Sequence, residues 1–220
     1  MRDYLTIDLS TKSVTRETRE GEALVQAGRH YIAKTLYERG VAKIDPMSPE
    51  NPLIFSVGPF AGSNMSNANR ISVGCKSPLT GGVKEANAGG TFGFALGQSE
   101  FCGLTLENAS DDWVVIRITK EGDVTFDDAT AYMGLGVIET AALLHDKYGE
   151  KVSLAICGPV GEYRGLMAGI SFSDPEGRPV RIAARGGVGA VMGMKKVKAM
   201  VCDKHKMPTF EDRRGVMQGV

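Results

Sequence analysis

One pattern occurs twice in the chain, and it constrains the fold more than any other feature. Leu53-Ile-Phe-Ser-Val-Gly-Pro59 is an apolar strand running into Gly-Pro, and Val152-Ser-Leu-Ala-Ile-Cys-Gly-Pro159 is another. A glycine-rich loop follows each of them: Ala86-Asn-Ala-Gly-Gly-Thr-Phe-Gly-Phe-Ala-Leu-Gly97 in the first case, Arg181-Ile-Ala-Ala-Arg-Gly-Gly-Val-Gly-Ala-Val-Met-Gly193 in the second. Each loop leads into a further apolar strand, Gly103–Leu106 and Val197–Cys202. Internal repetition of this kind implies two related halves. Leu53–Glu107 and Val152–Cys202 are therefore expected to be two copies of one strand-loop-helix-strand unit. Their glycine loops would lie on the same face, presented to two halves of one ligand.

The later loop also suggests what that ligand is. Arg181 and Arg185 sit four apart, and Arg185 runs into Gly186-Gly187-Val188-Gly189. Without Cβ atoms the chain can bring backbone N–H groups close to a ligand and take positive φ. Successive N–H groups of such a turn form an anion-binding concavity, to which the amides of a helix opening at Val188–Met194 would add. Two guanidiniums beside it suit phosphate. The competing reading is a tight turn whose glycines only permit close packing.

Taken in order, the chain reads as a hairpin (Tyr4–Leu9, Val14–Arg19) and then a helix over Glu22–Arg39, with Leu24, Ala27, Tyr31 and Leu36 on one face and Gly40 as its cap. Strands follow at Leu53–Val57, Ile71–Cys75, Val83–Ala86, Gly103–Glu107, Trp113–Thr119 and Val124–Phe126, with a short helix at Phe92–Leu96. Tyr132–Lys147 has helical spacing, with Ile138, Ala141, Ala142 and His145 along a face and Gly149 as cap. Lys151–Cys157 and Gly165–Phe172 read as strands, and Asp174-Pro-Glu-Gly177 as a turn. Strands outnumber helices without alternating regularly with them, which predicts an α+β fold: large β-sheets in two intertwined pseudo-repeats with a few helices. No linker interrupts the chain. Residues 1–205 are expected to form one domain, and 206–220 a tail or the start of a connection to downstream domains.

Lys plus Arg and Asp plus Glu are equal at 26 each, which argues against a general nucleic-acid or anionic-membrane binder. No apolar run approaches the roughly 18 residues of a membrane span, and the N-terminus lacks the apolar core of a signal peptide, so cytoplasmic residence is the expectation. Cys75, Cys102, Cys157 and Cys202 show no C-x-x-C spacing and lie in or beside apolar runs, as buried reduced thiols do. His30, His145 and His205 form no triad-like pattern. Asp111-Asp112 and Asp127-Asp128 read as strand-edge acids.

Several motifs in order resemble the N-terminal domain of the tungsten-containing aldehyde ferredoxin oxidoreductases: Asp45-Pro-Met-Ser-Pro-Glu-Asn51, Gly58-Pro59, Asn67-Ala-Asn-Arg70, Lys76-Ser-Pro-Leu-Thr-Gly81, Ala86-Asn-Ala-Gly-Gly90 and Ala184-Arg-Gly-Gly-Val-Gly-Ala-Val-Met-Gly193. The resemblance runs from about Tyr4 to Val201. It implies a cofactor of tungsten (or molybdenum) held by two pyranopterins whose phosphates are joined through magnesium. It implies oxidation of aldehydes to carboxylic acids, with electrons passing to ferredoxin through a [4Fe–4S] cluster. That cluster is expected only with downstream domains or a companion subunit, because this chain lacks ligand spacing for it.

On the matching motifs, the resemblance implies that Arg70 lies between pterin phosphate and the cluster. Asn87, Gly89, Arg181, Ile182, Ala184 and Arg185 fall at cofactor-contacting positions, with the backbone carbonyls of Asn87 and Ile182 offered to magnesium. Asn69 and Ala184 stand where the family usually has glycine, and Ile182 where it usually has a small residue. The alternative class is a stand-alone module that binds a pterin or another phosphate ligand without catalysis.

Overall fold

The computed structural model describes residues 1–218. The first six strands are β1 (Arg2–Asp8), β2 (Ser13–Arg19), β3 (Leu53–Val57), β4 (Ile71–Lys76), β5 (Val83–Ala88) and β6 (Phe101–Glu107). They form one sheet in the order β2-β1-β6-β3-β4-β5. The second sheet holds β7 (Val114–Ile118), β8 (Val124–Asp128), β9 (Val152–Cys157), β10 (Ile170–Phe172), β11 (Arg181–Ala183) and β12 (Val197–Asp203). Its order, β8-β7-β12-β9-β10-β11, is the first sheet's order with each number raised by six. Strand directions repeat as well. The one parallel pair in each sheet is β1–β6 or β7–β12, and the other neighbours are antiparallel. The duplication is thus wider than the strand-loop-helix-strand unit: it takes in a leading hairpin in each half.

The helices repeat in the same way. In the first half α1 (Gly21–Val25) and α2 (Arg29–Glu38) precede β3, and α3 (Phe92–Gln98) precedes β6. In the second, α4 (Val137–Tyr148) precedes β9, α5 (Pro159–Glu162) follows it, and α6 (Val188–Met194) precedes β12. Helices α3 and α6 lie between the two sheets. Phe92, Ala95, Leu96, Val188, Val191 and Met192 belong to one buried cluster with Leu5, Phe55 and Leu104 of one sheet and Ala155, Phe172 and Met200 of the other. On the outside, Ile32 and Leu36 of α2 cover Ile54, while Ala141 and Leu144 of α4 cover Leu154 and Ile156. Covered on both faces, β3 (LIFSV) and β9 (VSLAIC) are buried at every position, which is why they read as apolar runs rather than as alternation.

The repeated Gly-x-x-x-Gly has a packing role. A Cβ on Gly97 of α3 would overlap the Ala61 backbone, and one on Gly193 of α6 would overlap the Gly161 carbonyl. Each inter-sheet helix therefore lies backbone to backbone on the turn after its own half's Gly-Pro, closer than any side chain allows.

The structure corrects three sequence expectations. The helix read over Glu22–Arg39 is two helices, because Gly28 between them has φ +62° and donates its N–H to Ser56 Oγ at 2.9 Å. Gly165–Phe172 is a strand only from Ile170; its first part is turn, and Pro159–Glu162 upstream is helical. The helix expected from Tyr132 starts at Val137 after a single 3-10 turn at Thr130–Tyr132, and it buries Thr140, Ala141 and Leu144 while Ile138 is 69% exposed. In the tail, Phe210 stacks near Phe60 with ring centroids 6.1 Å apart, and α7 spans Arg213–Gln218. The last part of the expected 206–220 tail, 219–220, lies outside the described residues.

Candidate anion-binding cleft

Strands β5 and β11 are the corresponding edge strands of the two sheets, and the fold brings them into contact. Between them is an open cleft of about 300 Å³. Asn87, Ile182, Ala184 and Arg185 line it together, so the fold gathers these four residues, predicted from two separate loops, into one place. Arg70 adjoins them, donating from Nε to Asn87 Oδ1. Gly89 sits beside the Arg70 guanidinium; a Cβ there would stand 3.5 Å from Nη1. Arg181 packs its Cγ toward Gly90 on the same side. The two loops thus lie on one face.

The surroundings are strongly cationic. Arg70, Arg181 and Arg185 are exposed, and so is Arg29, which also lines the cleft. Among the described residues none of these four arginines pairs with a carboxylate. The one acid lining the cleft, Glu85, accepts from Ser72 Oγ at 2.7 Å. Exposed arginines left without carboxylates, in a chain of zero net charge, concentrate positive charge at this cleft, the chemistry that suits an anion.

Asn87 and Ile182 both lie on edge strands, where every second carbonyl points away from the sheet with no strand partner. A hard cation such as Mg²⁺ takes carbonyl and phosphate oxygens. Asn87 itself lies inside β5, opposite Ser72, rather than in a loop.

The glycine nest is corrected. Gly186, Gly187 and the whole of α6 are buried. The Gly186 carbonyl accepts from Ser77 Oγ at 2.8 Å, and the Gly189 N–H donates to the Ala168 carbonyl at 2.9 Å. The Gly189 amide at the start of α6 therefore serves packing against the 165–169 turn. The paired glycines shape the loop, and its arginines carry the charge.

Sequence reasoning missed Arg29, Glu85 and Ser72. The signal for the last two was period two along the β4–β5 pair: Ser72 follows Arg70, which directly precedes β4, and Glu85 precedes Asn87, by two residues each. Arg29 was hidden by reading the helix straight through Gly28.

Other sites are structural. All four cysteines are buried, and burial pushes the thiols of Cys75, Cys157 and Cys202 up to about 12 and that of Cys102 to about 11. His145 lies between the Gly149 and Gly177 carbonyls at 3.3 and 3.2 Å. Asp127 accepts from the Tyr148 hydroxyl and pairs with Lys147 at 3.0 Å, which holds its carboxyl below the usual range. A larger apolar cleft of about 470 Å³ between α2 and the start of β5 contains none of the predicted residues. No helix among the described residues is long and apolar enough to cross a membrane.

Comparison with known proteins decides the family. Residues 4–204 match the family model described as aldehyde ferredoxin oxidoreductase, N-terminal domain. The chain belongs to the aldehyde ferredoxin oxidoreductase family. It is 40% identical over 177 residues to the tungsten-containing aldehyde ferredoxin oxidoreductase of Pyrococcus horikoshii, covering 80% of this chain and 28% of that protein. Against the enzyme of the same name from Pyrococcus furiosus it is 34% identical over 217 residues, covering 97% of this chain and 35% of the relative. A solved structure, the active site complex BamBC of benzoyl coenzyme A reductase with 1,5-dienoyl-CoA, superposes with a TM-score of 0.85 at 30% identity, over 94% of this chain and 32% of that one. The match to the family's N-terminal domain thus covers this chain almost from end to end, and the chain spans about a third of the length of these relatives.

Proposed function

We propose that the β5–β11 cleft cradles the phosphate end of a tungsten (or molybdenum) bis-pyranopterin within an aldehyde-oxidising oxidoreductase. The observation that carries this reading is the convergence of Arg29, Arg70, Arg181 and Arg185, all without carboxylate partners among the described residues, on the edge where the two repeats meet. A cofactor with two pterin phosphates has twofold character, and so does the junction of two repeats.

When bound, the metal-dithiolene centre would supply the two-electron chemistry that converts aldehyde and water to carboxylic acid. This chain supplies binding and orientation. Arg70 uses Nε on Asn87 and keeps its two terminal amino groups for phosphate oxygen. Arg185 and Arg29 line the cleft itself, and the edge carbonyls of Asn87 and Ile182 would hold magnesium. The [4Fe–4S] cluster, the ferredoxin contact and the aldehyde pocket are assigned to domains downstream or to a companion subunit, with residues 1–205 as the cofactor-holding domain and 206–220 as the connection. The setting is the cytoplasm.

Calorimetric titration with pyrophosphate tests the cradle in this chain directly. Saturable one-to-one binding that weakens about tenfold to a hundredfold in Arg185→Ala is expected, the scale of a lost charge-assisted hydrogen bond. Equal binding by wild type and the Arg70→Ala/Arg181→Ala/Arg185→Ala variant would refute it.

A further inference from the structure

Arg70, Ser72, Asn87 and Glu85 form a continuous hydrogen-bonded line across the edge of the first sheet. Arg70 directly precedes β4. Ser72 and Asn87 are direct cross-strand partners, and Glu85 lies two residues before Asn87 on β5. Residues two apart on a strand share a face, so the register places Ser72, Asn87 and Glu85 side by side with Arg70 at their end. Arg70 Nε–H donates to Asn87 Oδ1. Asn87 Nδ2–H donates to Ser72 Oγ at 3.3 Å. The Ser72 hydroxyl donates to Glu85 Oε1 at 2.7 Å. Each link points the same way, from the guanidinium at one end to the carboxylate at the other.

We propose that Glu85 is a positioning residue for Arg70, acting through Ser72 and Asn87. An ionised carboxylate only accepts, so the Ser72 proton must point to Glu85, which turns the Ser72 lone pairs toward Asn87. Asn87 then meets Ser72 with its NH₂ and is left to offer its carbonyl oxygen to Arg70. One negative charge thereby fixes the amide's orientation, and the amide fixes the guanidinium. Links polarised in one direction strengthen one another. The arrangement uses only Nε of Arg70, which leaves Nη1, beside Gly89, and Nη2 for an anion, and binding it need not order a long flexible side chain. The inference rests on the cleft being an anion site, and it assigns a task to the one acid lining that site.

The sign of one effect separates this role from plain electrostatics. Removing a negative charge from an anion-binding cleft should strengthen anion binding. The relay predicts the reverse for Glu85→Gln, because the amide introduced there can donate to Ser72, invert the line and turn the Asn87 NH₂ toward Arg70. The experiment uses the full chain. The Arg70 Nε–H resonance is assigned by its loss in Arg70→Lys, and its solvent exchange is compared in wild type, Glu85→Gln, Ser72→Ala and Ser72→Thr. Pyrophosphate is titrated into each.

In Glu85→Gln and Ser72→Ala, exchange should quicken at least several-fold and pyrophosphate affinity should fall about 3- to 10-fold, the range of one net hydrogen bond. Ser72→Thr keeps a hydroxyl and should restore both. Unchanged Nε–H exchange in Glu85→Gln, with affinity equal or higher, would overturn the proposal. If exchange responds as expected but wild type does not bind pyrophosphate, the relay stands and the anion reading of the cleft fails. Should Glu85→Gln fold poorly, the Ser72→Ala and Ser72→Thr pair decides the matter by the same readouts.

Discussion

Replacing Gly187 by alanine separates the two kinds of residue in the later loop. Gly187 has φ +78°, and a Cβ there would overlap the Leu166 carbonyl oxygen and stand 2.8 Å from Pro78 Cγ. Left-handed backbone costs an L-residue roughly 1–2 kcal/mol, and forcing an extra carbon into a packed site about 1–3 kcal/mol. The sum is about 2–5 kcal/mol. For a domain of this size, with roughly 2–4 °C of melting temperature per kcal/mol, the melting point should drop by about 5–20 °C. Two controls share the loops. Gly89→Ala meets nothing nearer than Arg70 Nη1 at 3.5 Å and carries no positive φ, while Arg185→Ala removes an exposed side chain; both should stay within about 0.5–1 kcal/mol of wild type. Urea unfolding followed by the fluorescence of the single tryptophan, Trp113, gives the stabilities, and pyrophosphate titration in the cold gives the affinities. Gly187→Ala should lose stability and keep its affinity within about twofold, because Gly187 is buried against Leu166 and Pro78; Arg185→Ala should do the opposite. A Gly187→Ala protein that keeps its stability but loses the anion would mean that this glycine touches the ligand, and the packing account would be wrong.

Two further outcomes follow from buried charges. Lys198 is fully buried and donates to the Glu162 carboxylate, whose other oxygen accepts the Gly134 N–H at 2.9 Å. Lys198→Met should cost about 3–5 kcal/mol by stranding that carboxylate, and Lys198→Met/Glu162→Leu should cost clearly less than the two single changes added, measured by urea midpoints; strict additivity would show that the pair is not coupled. Lys195 is buried and among the described residues has only the Pro49 and Asn108 carbonyls as partners, at 3.1 and 2.8 Å, and burial lowers it to about 7. Its folded value lies below its unfolded one, so the unfolded chain binds more protons between about pH 7 and 10, and stability should rise with pH across the lower part of that window. The cysteine thiols act oppositely: raised on folding, they remove stability above about pH 9, where the unfolded chain ionises. Unfolding free energy should therefore peak near pH 8–9, and Lys195→Met should flatten the rising limb. A rising limb unchanged in Lys195→Met would refute this origin.

The repeat was legible because its marks are local. Gly58-Pro59 and Gly158-Pro159 end strands, and the Gly-x-x-x-Gly of each half lets a helix lie on the following turn. The extent of the repeat was not legible. That β1 pairs with β6, and β7 with β12, is settled by burial between layers rather than by residues near one another in sequence. The candidate site was legible as a juxtaposition: Arg70, Asn87, Ile182, Ala184 and Arg185, taken from separate motifs, lie together at the cleft. It was misread in its glycines, because whether a Gly-Gly turn faces a ligand or a neighbouring backbone depends on what packs over it. Here Lys84, Pro78 and Leu166 cover Gly186 and Gly187. The break at Gly28 removed Arg29 from view in the same way. A helical period continued through it, but Gly28, at φ +62° and bonded to Ser56, separates the first helix from the second.

The arginines where the two repeats meet are proposed to hold a phosphate-bearing metal-pterin cofactor. The most direct measurement is the tungsten, molybdenum and pterin content of anaerobically purified protein, in its full-length context, for wild type and for Arg70→Ala/Arg181→Ala/Arg185→Ala. Two pterins per metal are expected in wild type and loss of most of both in the variant, with folding unchanged by circular dichroism. Full metal and pterin occupancy in the folded triple variant would contradict it.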